Sequence, residues 1–149
     1  MRRGRLVLLC AAVSALTVAG GISASFAAST EIAADALGHF FTTAEIEHRP
    51  IKVLVDTGAS AVALSYEDAE EAGLRPRTLN FDSVTYTANG KVGVARITLG
   101  RVQIGNIVVR DVEAVVLPKG AFDGTLLGMS FLNKLSRFKV EDGRLHLAD

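Results

Sequence analysis

The sequence has almost no cysteine and no excess of either charge, and both absences exclude classes of function. The single cysteine, Cys10, lies in an uncharged N-terminal stretch, so the remainder can build neither a disulfide framework nor a thiolate metal site. Sixteen basic residues balance sixteen acidic ones, and without Arg2, Arg3 and Arg5 the formal net charge is −3. No basic patch remains, and nucleic acid is therefore not expected as a partner.

Two further kinds of site are absent from the sequence pattern. The histidines do not lie at metal-ligand spacing from one another or from Asp and Glu, so no metal site is expected. Ser60 and Ser65 lack the Gly-x-Ser-x-Gly context that presents a serine nucleophile. Zinc hydrolases and serine hydrolases are both disfavoured.

The N-terminal segment predicts export. Three arginines precede the uncharged stretch 6–28, which is the pattern of a signal sequence. Ser25-Phe26-Ala27 fits a small-x-small cleavage site and predicts a signal peptide at 1–27. The alternative is a membrane anchor through residues 6–28, because about 20 residues suffice to span a bilayer. Either way the rest of the chain is expected in the periplasm, free or anchored to the inner membrane.

After an expected linker at 28–37, residues 38–149 predict one all-β domain with one or two short helices. Short runs of β-branched and aromatic residues alternate with turn signals roughly every 8–12 residues, which is typical of a closed barrel or a sandwich. Asn89-Gly90 and Asp142-Gly143 predict hairpins. Helices are expected at 67–72, capped by Ser65, and at 129–135. The expected strands are 39–47, 51–55, 62–64, 83–88, 92–99, 102–104, 107–109, 112–117, 138–140 and 145–147.

The most informative residue is Asp56, which directly follows the aliphatic run Ile51–Val55. Such a run predicts a strand that is buried on both faces. A carboxylate is rarely placed at the rim of a hydrophobic core unless something pairs with it or uses it. Gly58 permits a sharp turn after the strand. Asp56-Thr57-Gly58 is therefore the candidate catalytic loop.

Three segments together resemble the single-domain, retropepsin-like aspartic proteases, and in particular the bacterial branch with an N-terminal hydrophobic segment. Asp56–Ser60 is similar to the catalytic loop of that family, and Thr87–Lys91 is similar to its flap hairpin. Leu126–Leu132 is similar to the apolar pair and glycine that precede its short C-terminal helix. The resemblance extends from Gly38 to the C-terminus and implies the closed β-barrel of the acid proteases.

The resemblance also implies a role for each matching residue. Asp56 would activate the attacking water, Thr57 would hydrogen-bond across a dimer axis, and Gly58 would leave room for the substrate backbone. Leu126, Leu127 and Gly128 would support the catalytic loop from behind. No metal or organic cofactor is implied, because carboxylates alone activate the water. The implied substrate-binding residues are Ala59 and Ser60 in the loop, and Thr87, Ala88, Asn89 and Gly90 in the flap.

Peptide hydrolysis by carboxylates requires two of them, one accepting a proton from water and the other donating one to the carbonyl oxygen. The chain has only one Asp-Thr-Gly, so we expect a C2 homodimer in which Asp56 of each subunit meets at the axis. The expected substrate is an extended polypeptide that binds as an added strand. The alternative is a non-proteolytic module that keeps the fold and the dimer near the membrane.

The sequence departs from the viral members of the family at two places. Ser60 stands where they carry an acid that helps to grip the substrate backbone. The C-terminal residues 138–149 predict a hairpin instead of an interdigitating strand. We therefore expect a different substrate grip and a different construction of the dimer.

Overall fold

A computed structural model describes residues 27–87 and 90–149. These residues form strands, two short helices and one 3-10 turn at Pro76–Thr78, so the prediction of an all-β domain with short helices is confirmed. The helices are α1 (Tyr66–Glu71) and α2 (Met129–Leu132). The strands are β1 (Ser29–Ala33), β2 (Phe41–Ile46), β3 (Arg49–Val55), β4 (Val62–Leu64), β5 (Ser83–Thr87), β6 (Gly90–Ile104), β7 (Ile107–Val116), β8 (Thr125–Leu127), β9 (Arg137–Glu141) and β10 (Arg144–Ala148).

Six strands close into a barrel in the order β2-β3-β8-β4-β7-β6, with β6 pairing back to β2. The β3–β8 and β4–β7 pairs are parallel, and the other pairs are antiparallel. Full closure leaves the barrel strands without an exposed edge. β5 is not one of the six barrel strands. Among the described strands it pairs only with β6, with which it forms a hairpin. The predicted closed barrel is confirmed.

The strand before Asp56 is less buried than its aliphatic sequence predicts. Ile51 and Val53 are fully buried in the core, whereas Lys52 between them is exposed. Leu54 and Val55 are half-buried, at the point where β8 pairs alongside in parallel. The expectation of burial on both faces was therefore wrong over most of β3, because the outer face is covered only near the Asp56 loop.

β6 and β7 are each one continuous strand, where the sequence predicted two shorter strands in each region. The register runs unchanged from Ala95↔Val116 to Ile104↔Ile107, past Gly100 and the left-handed Asp111 (φ 54°). The sequence predicted a strand end at Gly100. The strand continues there, and the Gly100 N–H donates a hydrogen bond to a residue that belongs to neither β6 nor β7.

The outside partner of Gly100 is Glu47. The Glu47 carboxylate accepts hydrogen bonds from the backbone N–H groups of Gly100 and Arg101, and Glu47 N donates to Arg101 O at 3.1 Å. Glu47 and His48 form the β2–β3 turn with positive φ angles of 48° and 67°, a conformation that non-glycine residues adopt only with support. The same turn lies next to the short β2–β6 pairing that closes the barrel.

A second sheet, in the order β1-β10-β9, lies beside the barrel. The expected linker 28–37 was wrong over Ser29–Ala33, because Ile32 is buried opposite Leu145 and draws this segment into a strand. The predicted hairpin around Asp142-Gly143 is confirmed as β9–β10. All residues of β9 are exposed, and its outer edge has no partner strand among the described residues.

The predicted signal or anchor lies outside the described residues apart from Ala27 and Ala28, so export remains a prediction. Within 27–87 and 90–149, no helix is long and apolar enough to cross a membrane.

The Glu47 contacts predict a stability effect. Glu47→Ala leaves the Gly100 and Arg101 N–H groups without this acceptor and is expected to lower the unfolding free energy by about 1–3 kcal/mol. Glu47→Gln keeps an acceptor oxygen and should retain most of that stability. Urea denaturation of both variants and of the wild type measures the difference. Equal stability of all three would show that barrel closure does not depend on this carboxylate.

Candidate active site

The loop after β3 is organised around the carboxylate of Asp56. Asp56 Oδ1 accepts a hydrogen bond from Gly58 N at 2.8 Å, and Asp56 O accepts one from Ala59 N at 3.3 Å. Asp56 N donates to Leu127 O at 3.1 Å, which joins the loop to β8. Asp56 is half-buried, and Thr57 and Gly58 are exposed. The loop therefore presents one oriented carboxylate at the surface of the barrel.

Gly58 is needed for space beside the carboxylate. A Cβ at this position would lie 3.1 Å from Asp56 Oδ1, closer than ordinary van der Waals contact. The φ angle of Gly58 is not in the left-handed region, so the predicted reason, backbone freedom for a sharp turn, was wrong.

Gly128 holds the loop from behind. A Cβ on Gly128 would collide with the backbone carbonyl of Ala61 and would lie 2.6 Å from Ala59 O. The first residues of α2 then grip the same segment, because Met129 N donates to Ala59 O at 2.8 Å and Ser130 N donates to Ser60 O at 3.0 Å. The loop is thus fixed by main-chain contacts that side-chain motion cannot loosen.

The two leucines before Gly128, Leu126 and Leu127, have different roles. Leu127 is fully buried in the core opposite Val55, and its carbonyl holds Asp56. Leu126 is half-buried and lines the cavity in front of Asp56. The sequence placed both leucines behind the loop, which describes Leu127 only.

Hydroxyl groups fix the elements around the loop. Ser130 Oγ accepts from Val62 N at 3.0 Å and donates to Glu113 O at 2.6 Å, so one side chain joins α2 to β4 and β7. The buried Thr125 donates to Asp68 Oδ2 at 2.7 Å and joins β8 to α1. The predicted cap of α1 is confirmed, since Ser65 Oγ accepts from Asp68 N at 3.1 Å. Sequence reasoning anticipated the cap formed by Ser65 and Asp68, but it gave Thr125 and Ser130 no role in joining these elements.

A cavity of about 430 Å³ opens in front of Asp56. Its floor includes apolar side chains from the barrel strands, and β5 borders it. The loop between β7 and β8 adds another wall. The lining residues are Asp56, Gly58, Ala59, Ser60, Ala61, Ala63, Thr85, Tyr86, Thr87, Arg96, Val115, Leu117, Ala121, Phe122 and Leu126.

Several lining residues were missed from the sequence. Arg96 and Val115 reach the cavity because β6 and β7 place them directly opposite each other. Phe122 reaches it from a loop with left-handed glycines at Gly120 and Gly124, and those glycines were the only local signal. These residues come close to Asp56 through the register of the strands and the path of the loop, and no short sequence motif predicts either of them.

The predicted flap is partly described. The β5–β6 hairpin is confirmed, with Thr87 opposite Gly90 and Thr87 Oγ1 donating to Gly90 O at 3.0 Å. The tip of the flap was predicted at Asn89-Gly90; Ala88 and Asn89 lie outside the described residues, so the role of the tip remains a prediction. Thr87 also lines the cavity, together with Ala59 and Ser60 of the loop.

The described residues contain no group of three or more His, Cys, Asp or Glu side chains that could hold a metal ion. Asp56 is the only carboxylate among the described residues that line the cavity. One chain therefore offers half of the acid–base pair that carboxylate hydrolysis requires.

A family model described as "gag-polyprotein putative aspartyl protease" matches residues 42–134. The "Uncharacterized protein in cobV 5'region" of Sinorhizobium sp is 47% identical over 112 residues, 75% of this chain and 48% of that protein. The "Uncharacterized protein RP867" of Rickettsia prowazekii (strain Madrid E) is 38% identical over 110 residues, 74% of this chain and 47% of that protein. The chain thus spans about half the length of these curated relatives.

Two solved structures are similar to the chain. A retropepsin-like aspartic protease from Rickettsia conorii superposes with a TM-score of 0.74 at 35% identity, over 83% of this chain and 92% of that one. EIAV protease complexed with the inhibitor HBY-793 superposes with a TM-score of 0.57 at 20% identity, over 69% of this chain and 93% of that one. At that identity the second likeness concerns the fold alone.

The backbone contacts of Gly128 predict that this position accepts no side chain. Gly128→Ala would drive a methyl group into two carbonyl oxygens and is expected to lower the unfolding free energy by about 3 kcal/mol or more. Gly93→Ala is the matched control, because its Cβ would meet its nearest neighbour at 3.4 Å. Thermal and urea denaturation compare the two variants with the wild type. A Gly128→Ala protein as stable as Gly93→Ala would contradict the close packing.

Proposed function

The chain belongs to the retropepsin-like family of aspartic proteases, and we propose that it is an endopeptidase whose two-aspartate site forms across a homodimer. The observation that carries the proposal is the position of Asp56. A rigid main-chain loop presents this carboxylate to a partly apolar cavity of about 430 Å³ beneath the β5–β6 hairpin. A cavity of this kind suits the side chains of an extended polypeptide.

The need for a second carboxylate supports the homodimer. With one carboxylate per cavity in the described part of the chain, the proton donor has to come from a second subunit. Thr57 supports the same arrangement, because it is exposed beside Asp56 and its hydroxyl has no hydrogen-bond partner among the described residues. A cross-axis hydrogen bond from Thr57 would supply one.

The terminal sheet gives the second subunit a further surface. β9 has an unpaired outer edge, and its exposed residues include Phe138 and Val140. An open edge with apolar side chains favours pairing with another strand. β1 forms the opposite edge of this sheet but exposes no large apolar side chain, so the subunits would meet edge to edge at β9.

In the dimer, the two Asp56 carboxyls would share one proton, since two such groups in close contact cannot both ionise. The ionised carboxylate takes a proton from the attacking water. The protonated one gives its proton to the carbonyl oxygen of the scissile bond. Collapse of the tetrahedral intermediate, with protonation of the leaving nitrogen, releases a new carboxyl terminus and a new amine. The apparent pKa values belong to the pair and not to either residue.

Removing the carboxylate tests the reaction. Asp56→Asn is expected to reduce cleavage by at least about a thousandfold while the fold is retained. The purified full chain would be incubated with a diverse peptide mixture from about pH 4 to about pH 7, and new termini would be read by mass spectrometry. Asp111→Asn is the control, because it makes the same chemical change at an exposed position that tolerates either residue.

Cleavage that survives Asp56→Asn would overturn the proposed mechanism. A folded dimer in which neither the wild type nor the variant cleaves would favour the binding module over the enzyme.

Thr57 tests the dimer separately from the chemistry. Thr57→Ala removes a hydrogen-bonding group on each side of the axis and should raise the dimer dissociation constant by about tenfold or more. Thr57→Ser keeps the hydroxyl and should restore most of the affinity. Sedimentation velocity over a concentration series measures both. An unchanged dissociation constant in Thr57→Ala would remove the cross-axis role of Thr57.

A further inference from the structure

The cavity in front of Asp56 contains one positive charge. Among the described residues that line it, Asp56 and Arg96 are the only charged ones. Ser60 of the Asp56 loop contributes a neutral hydroxyl to the same lining. The charge that a substrate side chain meets away from Asp56 is therefore positive.

Arg96 lies at one end of a small apolar cluster. In β6 it is opposite Val115 of β7, so the two side chains share a face of the strand pair. Val94, two residues earlier in β6, lies on that same face and is fully buried with Val115 and Leu117. The cavity therefore changes from apolar to cationic along one line of side chains.

The guanidinium of Arg96 has no counterion among residues 27–87 and 90–149. Among the described residues no carboxylate lies within salt-bridge distance of Arg96, although Glu113 lies diagonally across the strand pair and borders the neighbouring cleft. By contrast, Arg101 of the same strand pairs with Glu45 at 3.1 Å. The planar guanidinium of Arg96 thus keeps its hydrogen-bond donors for another partner.

The geometry points to Arg96 as the residue that selects an acidic side chain in the polypeptide substrate. This inference rests on the proposed function for the identity of the ligand. A carboxylate fits the guanidinium fork with two parallel hydrogen bonds, and the exposed Arg96 is accessible to a bound peptide. The selected acidic residue would not be the one at the scissile bond, because Asp56 would repel it there. In a two-fold dimer Arg96 occurs twice, so the selected position has a symmetry-related counterpart across the scissile bond.

Binding by an inactive protein tests the selection without requiring cleavage. Full-chain Asp56→Asn, with and without Arg96→Glu, would be immobilised and exposed to a library of extended peptides with acetylated and amidated ends. The blocked ends ensure that a bound carboxylate comes from a side chain and not from a chain terminus. At each position the library carries Asp, Glu, Asn, Gln or Lys, and bound peptides are counted by mass spectrometry.

At one position, or at two positions related by the dimer axis, Glu or Asp is expected to be enriched about fivefold over Gln or Asn. Arg96→Gln should abolish the enrichment, and Arg96→Glu should shift it to Lys. Added salt should weaken the preference, since the groups are partly exposed to solvent. Arg110→Glu is the matched control: Arg110 is exposed on β7, lies outside the cavity lining and undergoes the same charge change.

Acidic enrichment that persists in Arg96→Glu, or an absence of acidic enrichment in the parent protein, would overturn the inference. Circular dichroism and thermal denaturation would establish that the Arg96 variants are folded. Cleavage of the same library by the wild type separates this inference from the proposed function. Cleavage without acidic preference contradicts the role of Arg96 alone, whereas Arg96-dependent binding without cleavage contradicts the protease and leaves the role of Arg96 intact.

Discussion

The contact between Gly128 and the backbone of Ala59 and Ala61 is the constraint on which the site depends. It lets β8 and α2 approach the catalytic loop closely enough for Met129 and Ser130 to donate main-chain hydrogen bonds to it. Main-chain contacts hold a loop more rigidly than side chains do, because no rotamer can relax them. The Gly58 N–H orients the Asp56 carboxylate through Oδ1, and Oδ2 is left available to water and to a second carboxylate.

The β6–β7 pair forms part of the wall of the cavity that lies in front of this rigid loop. Alternate residues of β6 face opposite sides, so Ala95 and Leu99 join the main core while Val94 and Arg96 lie on the other face, where Val94 is buried in a second, smaller cluster. This face borders the cavity, because Arg96 and the opposite Val115 both line it. β6 and β7 continue past Gly100, whose N–H donates to Glu47. At one end the two strands belong to the closed barrel, and at the other end β6 extends into the β5–β6 hairpin. Barrel closure and cavity wall thus share the same two strands.

The features that the sequence predicted correctly are those that depend on residues close together in the chain. Asp142-Gly143 specified its hairpin, Ser65 capped α1, and the aliphatic run led to Asp56 because each depends on neighbours within a few residues. β1 was missed because Ser29–Ala33 becomes a strand only by pairing with β10, more than a hundred residues later. Arg96 and Phe122 were missed for the same reason, since register and loop course place them in the cavity.

Two-fold symmetry connects the charges of the cavity with the chemistry that we propose. Among its described residues, one subunit lines the cavity with one carboxylate and one guanidinium, so a dimer would supply two of each. The two carboxylates would meet at the axis, where a shared proton relieves their repulsion. The two guanidinium groups would lie on either side of that pair, because each lines the same cavity as the Asp56 of its own subunit. The negative charge of the site would thus be confined to its centre, leaving positive charge on both flanks to orient an acidic substrate.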